Sequence, residues 1–375
     1  MTQSRTYLDY NASAPLRPAA RAAMLAAHDA FGNPSSVHTE GRRVRAIIET
    51  AREEVAALIG AKPSEIVFTS GATEANNCAV DAGWKTICVS AIEHESVLAP
   101  ARACGAKIIA LPAMSDGRVD LPAVQGALAE ASSSGRTLLS VMMANNETGV
   151  IQPVAEAAEL ARELNISLHV DAVQAPGRVP LNFAALGADT LTISAHKLGG
   201  PRGVGALVIR DGVSLPALIQ GGGQERRRRG GTENVAGIAG FGAAAAEVAK
   251  EAADAARITA LREMLEAGVK AATPDAVIIG RAAPRIGNTS CIAAAGKPSE
   301  TLVIRMDLDG VAISSGAACT SGKIGANTVL AAMGLGSDIT ASAVRVSLGY
   351  ATTADDIAAF LAAWQKAAGG TALAA

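Results

Sequence analysis

Residues 167–197 read SLHVDAVQAPGRVPLNFAALGADTLTISAHK, and this stretch decides the fold. It contains two short apolar runs, at 167–170 and 190–193, joined by a longer connection that is partly Ala-rich. Each run is too short to be a helix, and both contain residues that strands favour. The stretch therefore predicts two strands joined by a crossover connection, the unit from which parallel sheets are built.

The same alternation extends outward, from about residue 65 to residue 210. Further apolar runs lie at 66–68, 86–89, 138–143 and 205–210, and Ala- and Glu-rich helical stretches separate most of them. This pattern is typical of an α/β fold with a mainly parallel sheet between helices.

The pattern of residue types changes in the second half of the chain. A Gly-rich stretch at 221–231 leads into an Ala-dominated helical region that reaches about residue 272. Short strands follow, with a final amphipathic helix from Ala354. A chain of 375 residues with 49% hydrophobic composition has enough apolar surface for two cores. We expect a large domain at 14–255 and a smaller α+β domain formed by 1–13 and 256–375.

Charge and hydropathy narrow the classes of partner. The formal net charge is -2, so no global field attracts nucleic acid or an anionic membrane. The four arginines at 226–229 are isolated between glycines and lack an aromatic stacking platform, which argues against nucleic acid. The amino terminus lacks the apolar region of a signal peptide, and no later stretch is apolar enough to span a bilayer, so we expect a cytoplasmic protein.

Chemistry is expected where the predicted strands end, because ligands of open α/β sheets bind outside the carboxyl ends of the strands. Residues 69–74, Thr-Ser-Gly-Ala-Thr-Glu, form a Gly turn before a helix whose free amides could hold a phosphate. An ordinary Ser/Thr helix cap is the alternative. His94 and Asn146 follow the next runs. The imidazole of His94 could stack on a flat cofactor or shuttle protons as a catalytic residue, and the amide of Asn146 could donate to a cofactor oxygen. A surface histidine and an Asn-rich turn are the simpler interpretations.

The strongest signals follow the two runs of the opening stretch. Asp171 comes directly after an apolar strand, so its charge needs a partner if it is buried, and Gln174 lies three residues on. Lys197 ends the segment Ser-Ala-His-Lys, where desolvation favours the neutral amine that Schiff-base chemistry requires. A single lysine is more often a solvated surface charge. Together these residues supply the phosphate cradle, stacking partner, donor, anion and amine that pyridoxal phosphate requires.

Seven ordered motifs carry a family resemblance. The chain resembles the class V aminotransferase-like cysteine desulfurases, particularly the NifS/IscS group, in the sequences at 7–12 (YLDYNA), 70–77 (SGATEANN), 93–97 (EHESV), 145–149 (NNETG), 169–174 (HVDAVQ), 194–197 (SAHK) and 230–234 (GGTEN). The resemblance implies a fold type I pyridoxal-phosphate enzyme, with a mainly parallel seven-stranded sheet in the large domain and a smaller α+β carboxyl-terminal domain.

The resemblance also implies a role for each matching residue. Lys197 would form the Schiff base, Asp171 would pair with the pyridinium nitrogen, and His94 would stack on the ring. The phenolic oxygen would be contacted by Asn146 and Gln174. The phosphate would be held by Ala72, Thr73, Ser194 and His196, and by Thr232 of a second subunit, which implies a homodimer with shared active sites.

Cys319 selects the reaction among those that the cofactor allows. The chain has five cysteines, scattered and without a C-x-x-C pair, so neither a disulfide framework nor a zinc site is indicated. Four lie in predicted helices, strands or apolar surroundings and are interpreted as inert: Cys78, Cys88, Cys104 and Cys291. Cys319 lies in the small, polar segment 314–322, which suits a thiolate that moves between an inner site and an acceptor. In the family, the matching cysteine takes sulfur from L-cysteine as a persulfide and L-alanine is released.

Arg345 matches the family's carboxylate-binding arginine, and its alternative is an ion pair at a strand edge. Asn11 matches a position near the substrate carboxylate, and the resemblance also makes Asn146 a substrate-binding residue. The Ala-Ser-Ala-Pro that follows Asn11 departs from the usual Ala-Thr-Thr-Pro.

Two other functions stay open at this stage. Another class V reaction, selenocysteine lyase or aminotransferase, would keep Lys197 and Asp171 but reassign Cys319. A non-catalytic sulfur-binding or regulatory dimer would keep only the fold. The sequence also leaves open which sulfur-acceptor protein, an iron–sulfur scaffold or a sulfur carrier, receives the sulfur.

Overall fold

The computed structural model describes residues 5–251, 254–315 and 327–368. Its strands are β1 (Thr6–Tyr7), β2 (Ile66–Thr69), β3 (Thr86–Ser90), β4 (Lys107–Leu111), β5 (Thr137–Ser140), β6 (Ser167–Asp171), β7 (Thr190–Ser194), β8 (Gly205–Ile209), β9 (Val277–Ile279), β10 (Thr289–Ala293), β11 (Val311–Ala312), β12 (Ser314–Ser315) and β13 (Ala343–Ser347). Its α-helices are α1 (Pro18–His28), α2 (Thr39–Ile59), α3 (Ala72–Val80), α4 (Glu95–Ala103), α5 (Leu121–Ser133), α6 (Val154–Glu163), α7 (Phe183–Leu186), α8 (Val235–Lys250), α9 (Asp254–Ala272), α10 (Ser299–Leu308), α11 (Thr328–Ala332), α12 (Ser337–Ser342) and α13 (Ala354–Ala367).

The large sheet has seven strands in the order β2-β8-β7-β6-β5-β3-β4. β8 is antiparallel to both of its neighbours, and the other strands share one direction. The carboxyl ends of β2, β3, β5, β6 and β7 therefore meet at one edge of the sheet. The prediction of a mainly parallel seven-stranded sheet is confirmed.

The two long helices α2 and α8 pack against each other, and their sequences explain this packing. α2 has buried apolar residues at Val44, Ile48, Val55 and Ile59, which is the spacing of one helical face, and it ends at Gly60 in the left-handed conformation. Against it packs α8, whose Gly242 lies so close that a Cβ atom there would be 2.5 Å from the Cα of Ala51. The glycine permits this approach of the two backbones.

A second sheet, of order β12-β13-β10-β9, carries a separate apolar cluster. The cluster joins α9, α10 and α13, with Phe360 and Trp364 stacked at its centre, and it includes Leu8 from the amino-terminal segment. Because Leu8 packs with the carboxyl-terminal half, we propose that residues 1–13 belong to the smaller domain, as predicted. Within the described ranges, no helix combines the length and the apolar character needed to cross a membrane.

Several strand predictions differ from the structure. The two-residue strands β1, β11 and β12 were not predicted, and the edge strand β4 was missed although residues 108–111 (IIAL) form an apolar run; in the fold most of that run is at least partly exposed, and only Leu111 is buried. The run predicted at 138–143 ends as a strand at Ser140, and the buried methionines that follow belong to the irregular backbone leading to Asn145.

Candidate active site

Lys197 lies at the sheet edge, at the end of the short 3-10 turn Ala195–Lys197 that follows β7. Its Nζ atom donates to the carbonyl oxygen of Asn11 and, at 2.9 Å, to that of Ala12. Both carbonyls belong to the amino-terminal segment, which crosses the edge of the large sheet. The side chain is half-buried. Lys197 is therefore held inside the cleft rather than extended into solvent.

Asp171 ends β6, and only 6% of it is exposed. Its Oδ2 accepts from Asn76 Nδ2 at 2.8 Å, and its Oδ1 accepts from the backbone amide of Val173 at 3.0 Å. Neither partner is a cation, and none of the ion pairs in the described ranges includes Asp171. A buried carboxylate in this position needs a positive group from outside the chain.

Asp171 is linked to a chain of buried hydrogen bonds that runs through Asn76, His169 and Thr190. Asn76 Oδ1 lies 3.1 Å from His169 Nε2, and His169 Nδ1 lies 2.9 Å from Thr190 Oγ1. Burial lowers the pKa of His169 to about 3, so the ring is neutral at ordinary pH. Because the carboxylate of Asp171 only accepts, Asn76 donates to it and accepts from His169, and the imidazole accepts from the hydroxyl of Thr190.

His94 is fixed at the amino terminus of α4. Its Nδ1 accepts from the backbone amide of Ser96 at 3.1 Å, which leaves the proton of a neutral ring on Nε2. The hydroxyl of Ser96 lies 2.8 Å from the same Nδ1 and accepts from Asn76 at 2.8 Å. His94 and Asp171 are therefore joined through Ser96 and Asn76, so the stacking candidate and the anion candidate belong to one hydrogen-bonded cluster.

A second cluster surrounds Lys197. Asn11 Nδ2 donates to the carbonyl of Asn146 at 3.1 Å, and the carbonyl of Asn11 accepts from Gln174 Nε2 at 3.1 Å. Arg345, buried in β13, donates to the same Asn146 carbonyl at 3.2 Å and to Asp9 at 2.7 Å. Its Nε has no partner within the described residues. Arg345 therefore does form an ion pair, the alternative that the sequence left open, and this pair lies next to the other site residues.

The phosphate candidates occupy the same sheet edge. Among the residues that the structure describes, no side chain caps α3, whose N-cap is Gly71, so the Ser/Thr cap interpretation is wrong and the first amides of the helix are available. Thr73 is exposed and Ala72 half-buried in this first turn, whereas Ser194 ends β7 and is buried. Burial, with the nearby charges of Lys197 and Arg202, lowers the pKa of His196 to about 4.

Thr232 stands apart from these groups in the single chain. It is exposed, and no described hydrogen bond joins it to the other candidates. The loop before it is tied to α3, because Arg229 Nε lies 2.9 Å from Glu74 Oε1.

The cysteines that the structure describes are mostly buried, as expected for residues interpreted as inert. Cys78, Cys88 and Cys291 are buried, and burial raises the pKa of these thiols to about 11, 11 and 12. Protonated thiols in a core are poor nucleophiles. Cys104 is half-buried and follows α4. Cys319 lies outside the described residues.

Sequence reasoning missed four residues that organise the site. Asp9, Asn76 and Glu93 stood within quoted motifs without a role, and Arg178 stood within the opening stretch without a role. A polar residue at a buried helix position was the available signal for Asn76. Asp9 and Arg178 carried no such signal, because their contacts depend on how the amino-terminal segment crosses the sheet.

The residues fit pyridoxal phosphate. Asp171 offers a buried negative charge without a cationic partner in the described ranges, and α3 offers uncapped amides to an anion at the same edge. Lys197 brings an amine to that edge, which the aldehyde of the cofactor requires.

Comparisons with known proteins agree with this geometry. The sequence profile of the family described as aminotransferase class V matches residues 6–360. A protein named cysteine desulfurase IscS from Dictyoglomus turgidum is 41% identical over 366 residues, covering 94% of this chain and 91% of that protein. A cysteine desulfurase from Cereibacter sphaeroides is 43% identical over 365 residues, covering 94% and 93%.

Solved structures extend the likeness to the whole fold. The X-ray structure of a NifS-like protein from Rickettsia africae superimposes with a TM-score of 0.90 at 35% identity, covering 97% of this chain and 99% of that one. A second NifS-like protein gives a TM-score of 0.89 at 34% identity, with the same coverage of both chains. Profile, relatives and structures agree over nearly the whole chain, and the protein belongs to the class V aminotransferase family.

Proposed function

We propose that the protein is a cysteine desulfurase that converts L-cysteine to L-alanine and transfers the sulfur to Cys319 and then to an acceptor. The observation that carries the proposal is the buried carboxylate of Asp171, which has no cationic partner in the part of the chain that the structure describes, at the same sheet edge as Lys197. Relatives that are about 40% identical over most of the chain are named cysteine desulfurases, which favours this reaction over transamination or selenocysteine cleavage. A non-catalytic dimer is disfavoured because the charged residues of the site are in place.

Bound pyridoxal phosphate would supply an electron sink that makes a substrate Cα proton acidic and weakens bonds to the adjacent carbon. Asp171 would keep the ring nitrogen protonated, which strengthens that sink. Asn76 would hold the carboxylate for this task, since it donates to Oδ2. His94 would lie against the ring with Nδ1 fixed by Ser96, while Asn146 and Gln174 would contact the phenolic oxygen.

Lys197 would hold the cofactor through its aldehyde and would move protons at the substrate Cα. The carbonyls of Asn11 and Ala12, which accept from Nζ, would hold the amine within reach. Arg345 and Asn11 would bind the substrate carboxylate, for which Asn11 would have to release one of the two partners of its Nδ2, the carbonyl of Asn146 or the hydroxyl of Thr289. For Arg345 this requires that the carboxylate share or replace Asp9 as its partner.

The phosphate would lie at the amino terminus of α3, near Ala72, Thr73, Ser194 and His196, with Thr232 supplied by a second subunit. We propose a homodimer for this reason. Exposed apolar side chains between α1 and α2 support it, since Phe31 is 76% and Val37 is 86% exposed in the single chain.

Sulfur transfer would proceed by attack of the Cys319 thiolate on the substrate sulfur. The S–S bond forms as the C–S bond breaks, the bonding electrons pass to the carbon that becomes the methyl group of alanine, and that carbon takes up a proton. The substrate sulfur thereby becomes the outer atom of a persulfide on Cys319, from which it passes to the acceptor. An iron–sulfur scaffold or a sulfur carrier, in the cytoplasm, is the acceptor that we propose.

The proposal is tested with purified protein loaded with pyridoxal phosphate and given L-cysteine. We expect alanine and protein-bound persulfide in equal amounts during the first turnover. Cys319→Ala should stay yellow and bind cysteine without forming persulfide. Alanine formation by Cys319→Ala at the wild-type rate would contradict the role of Cys319. Radiolabelled persulfide, followed into a cell extract, would identify the acceptor.

A further inference from the structure

Arg178 contacts three residues of the candidate site at once. Its Nη1 donates to Asn11 Oδ1 at 3.0 Å and also to Gln174 Oε1, and its Nη2 lies 3.4 Å from the carbonyl oxygen of Lys197. All three acceptors are neutral, and no carboxylate forms an ion pair with Arg178 in the described part of the chain. A guanidinium placed among neutral acceptors in a half-buried position gives up hydration without gaining a counter-charge, so it requires an explanation beyond stability.

The contact with Gln174 determines which way its amide faces. A guanidinium has only donors, so the atom of Gln174 that faces Arg178 must be the oxygen. The amide nitrogen then points the other way, where one of its two hydrogens is used by the carbonyl of Asn11 at 3.1 Å. The second hydrogen is left to donate.

Asn11 is oriented by the same logic. Its Oδ1 accepts from Arg178 at 3.0 Å and from Asn288 Nδ2 at 3.1 Å. Its Nδ2 therefore faces the carbonyl of Asn146 and the hydroxyl of Thr289, at 3.1 and 2.8 Å. Without Arg178, the Oδ1 of Asn11 would still accept from Asn288. Gln174, by contrast, would lose the donor that defines its orientation.

We propose that Arg178 is a positioning residue that turns the amide donor of Gln174 toward the phenolic oxygen of the cofactor. This rests on the proposed function, in which Gln174 contacts that oxygen. A donor there stabilises the phenolate form of the cofactor, so its loss makes the cofactor harder to deprotonate. The positive charge of Arg178 also stabilises the phenolate, so its loss likewise makes the cofactor harder to deprotonate.

The test is a pH titration of the absorbance of bound pyridoxal phosphate in the homodimer. Arg178→Met should raise the midpoint of the colour change by about 1 pH unit, because one hydrogen bond and a nearby charge are lost. Arg178→Lys, which keeps the charge and one donor, should give a smaller shift. We expect kcat/KM for L-cysteine to fall about tenfold in Arg178→Met.

Arg210 offers a matched control. It is a half-buried arginine that donates to two backbone carbonyls, those of Ala188 and Phe183, and it contacts none of the proposed site residues through a described hydrogen bond. Arg210→Met should destabilise the protein and leave the midpoint unchanged. An unchanged midpoint in Arg178→Met, with only the melting temperature lowered, would show that Arg178 is merely structural and would overturn the proposal.

A double-mutant cycle separates orientation from charge. If Arg178 acts through Gln174, the midpoint in Arg178→Met combined with Gln174→Ala should nearly equal that in Gln174→Ala alone. Fully additive shifts would contradict the proposal. A crystal structure of Arg178→Met, solved with or without the cofactor, should find the Gln174 amide rotated or displaced. An unmoved Gln174 overturns the positioning role even if the protein proves not to be a desulfurase.

Discussion

Replacing Glu93 by glutamine should change the pH dependence of stability in a direction that the structure determines. Glu93 is 4% exposed; its Oε1 accepts from the backbone amide of Met142, and its Oε2 has no partner among the described residues. Burial, reinforced by the charge of Asp171, raises the pKa of Glu93 well above its ordinary value of 4.5. The folded protein therefore carries this carboxyl group protonated at pH values where the unfolded chain ionises it.

The sign follows from proton binding. Above the ordinary pKa of 4.5, the folded state binds one proton at Glu93 that the unfolded state has released, so a rise in pH favours unfolding. The loss amounts to about 1.4 kcal/mol per pH unit until the raised pKa of the folded state is reached. Glutamine keeps the acceptor for Met142 and never ionises, so Glu93→Gln lacks this loss.

Urea unfolding of the wild type and of Glu93→Gln, at about pH 5 and about pH 6, measures the difference. We expect the variant to gain unfolding free energy over the wild type between the two pH values, by up to about 1.4 kcal/mol. Glu159→Gln is the control, since Glu159 is an exposed residue of α6, and no such gain is expected there. A difference between Glu93→Gln and wild type that does not change with pH would mean that Glu93 is ionised in the fold, which refutes the reasoning.

Three other substitutions test separate parts of the structure. Asp171→Asn removes the buried negative charge, and we expect it to weaken retention of pyridoxal phosphate and to lower kcat by about a hundredfold or more, measured by dialysis and steady-state kinetics. Arg52→Met leaves Glu225 buried without its ion-pair partner, which lies 2.8 Å away, and should cost about 3–5 kcal/mol in urea unfolding; a loss below about 1 kcal/mol would contradict the pair's importance. Burial raises the pKa of Glu147 to about 7, against the opposing hydrogen bond from Asn327, so infrared difference spectra should detect a carboxyl group that deprotonates as the pH rises through that value and is absent in Glu147→Gln.

The sheet was predictable because its inner strands are buried on both faces. β3, β5, β6 and β7 are short, apolar and followed by polar residues, so their order of strand and connection can be read directly from the sequence. The edge strand β4 carries a similar apolar run at 108–111 that was overlooked, and its exposure at the sheet edge is not visible in the sequence.

The site was predictable as a set of residues but not as a set of contacts. Asp171 and Lys197 follow strands, and the geometry of parallel sheets brings such positions to one edge. The contacts of Asn11 depend instead on the amino-terminal segment crossing that edge, more than 130 residues away from Asn146 in sequence. No local pattern encodes such a contact, which is why Arg178 and Asp9 were quoted in the sequence but given no role.

The central claim is that Lys197 and Cys319 divide the reaction between cofactor chemistry and sulfur transfer. Mass spectrometry of the loaded protein after one turnover with ³⁵S-labelled L-cysteine tests it most directly, with and without prior borohydride reduction. We expect the label on the peptide containing Cys319, and we expect borohydride to attach pyridoxal phosphate to Lys197 and abolish the labelling. Attachment at another lysine, or persulfide on another cysteine, would contradict the account.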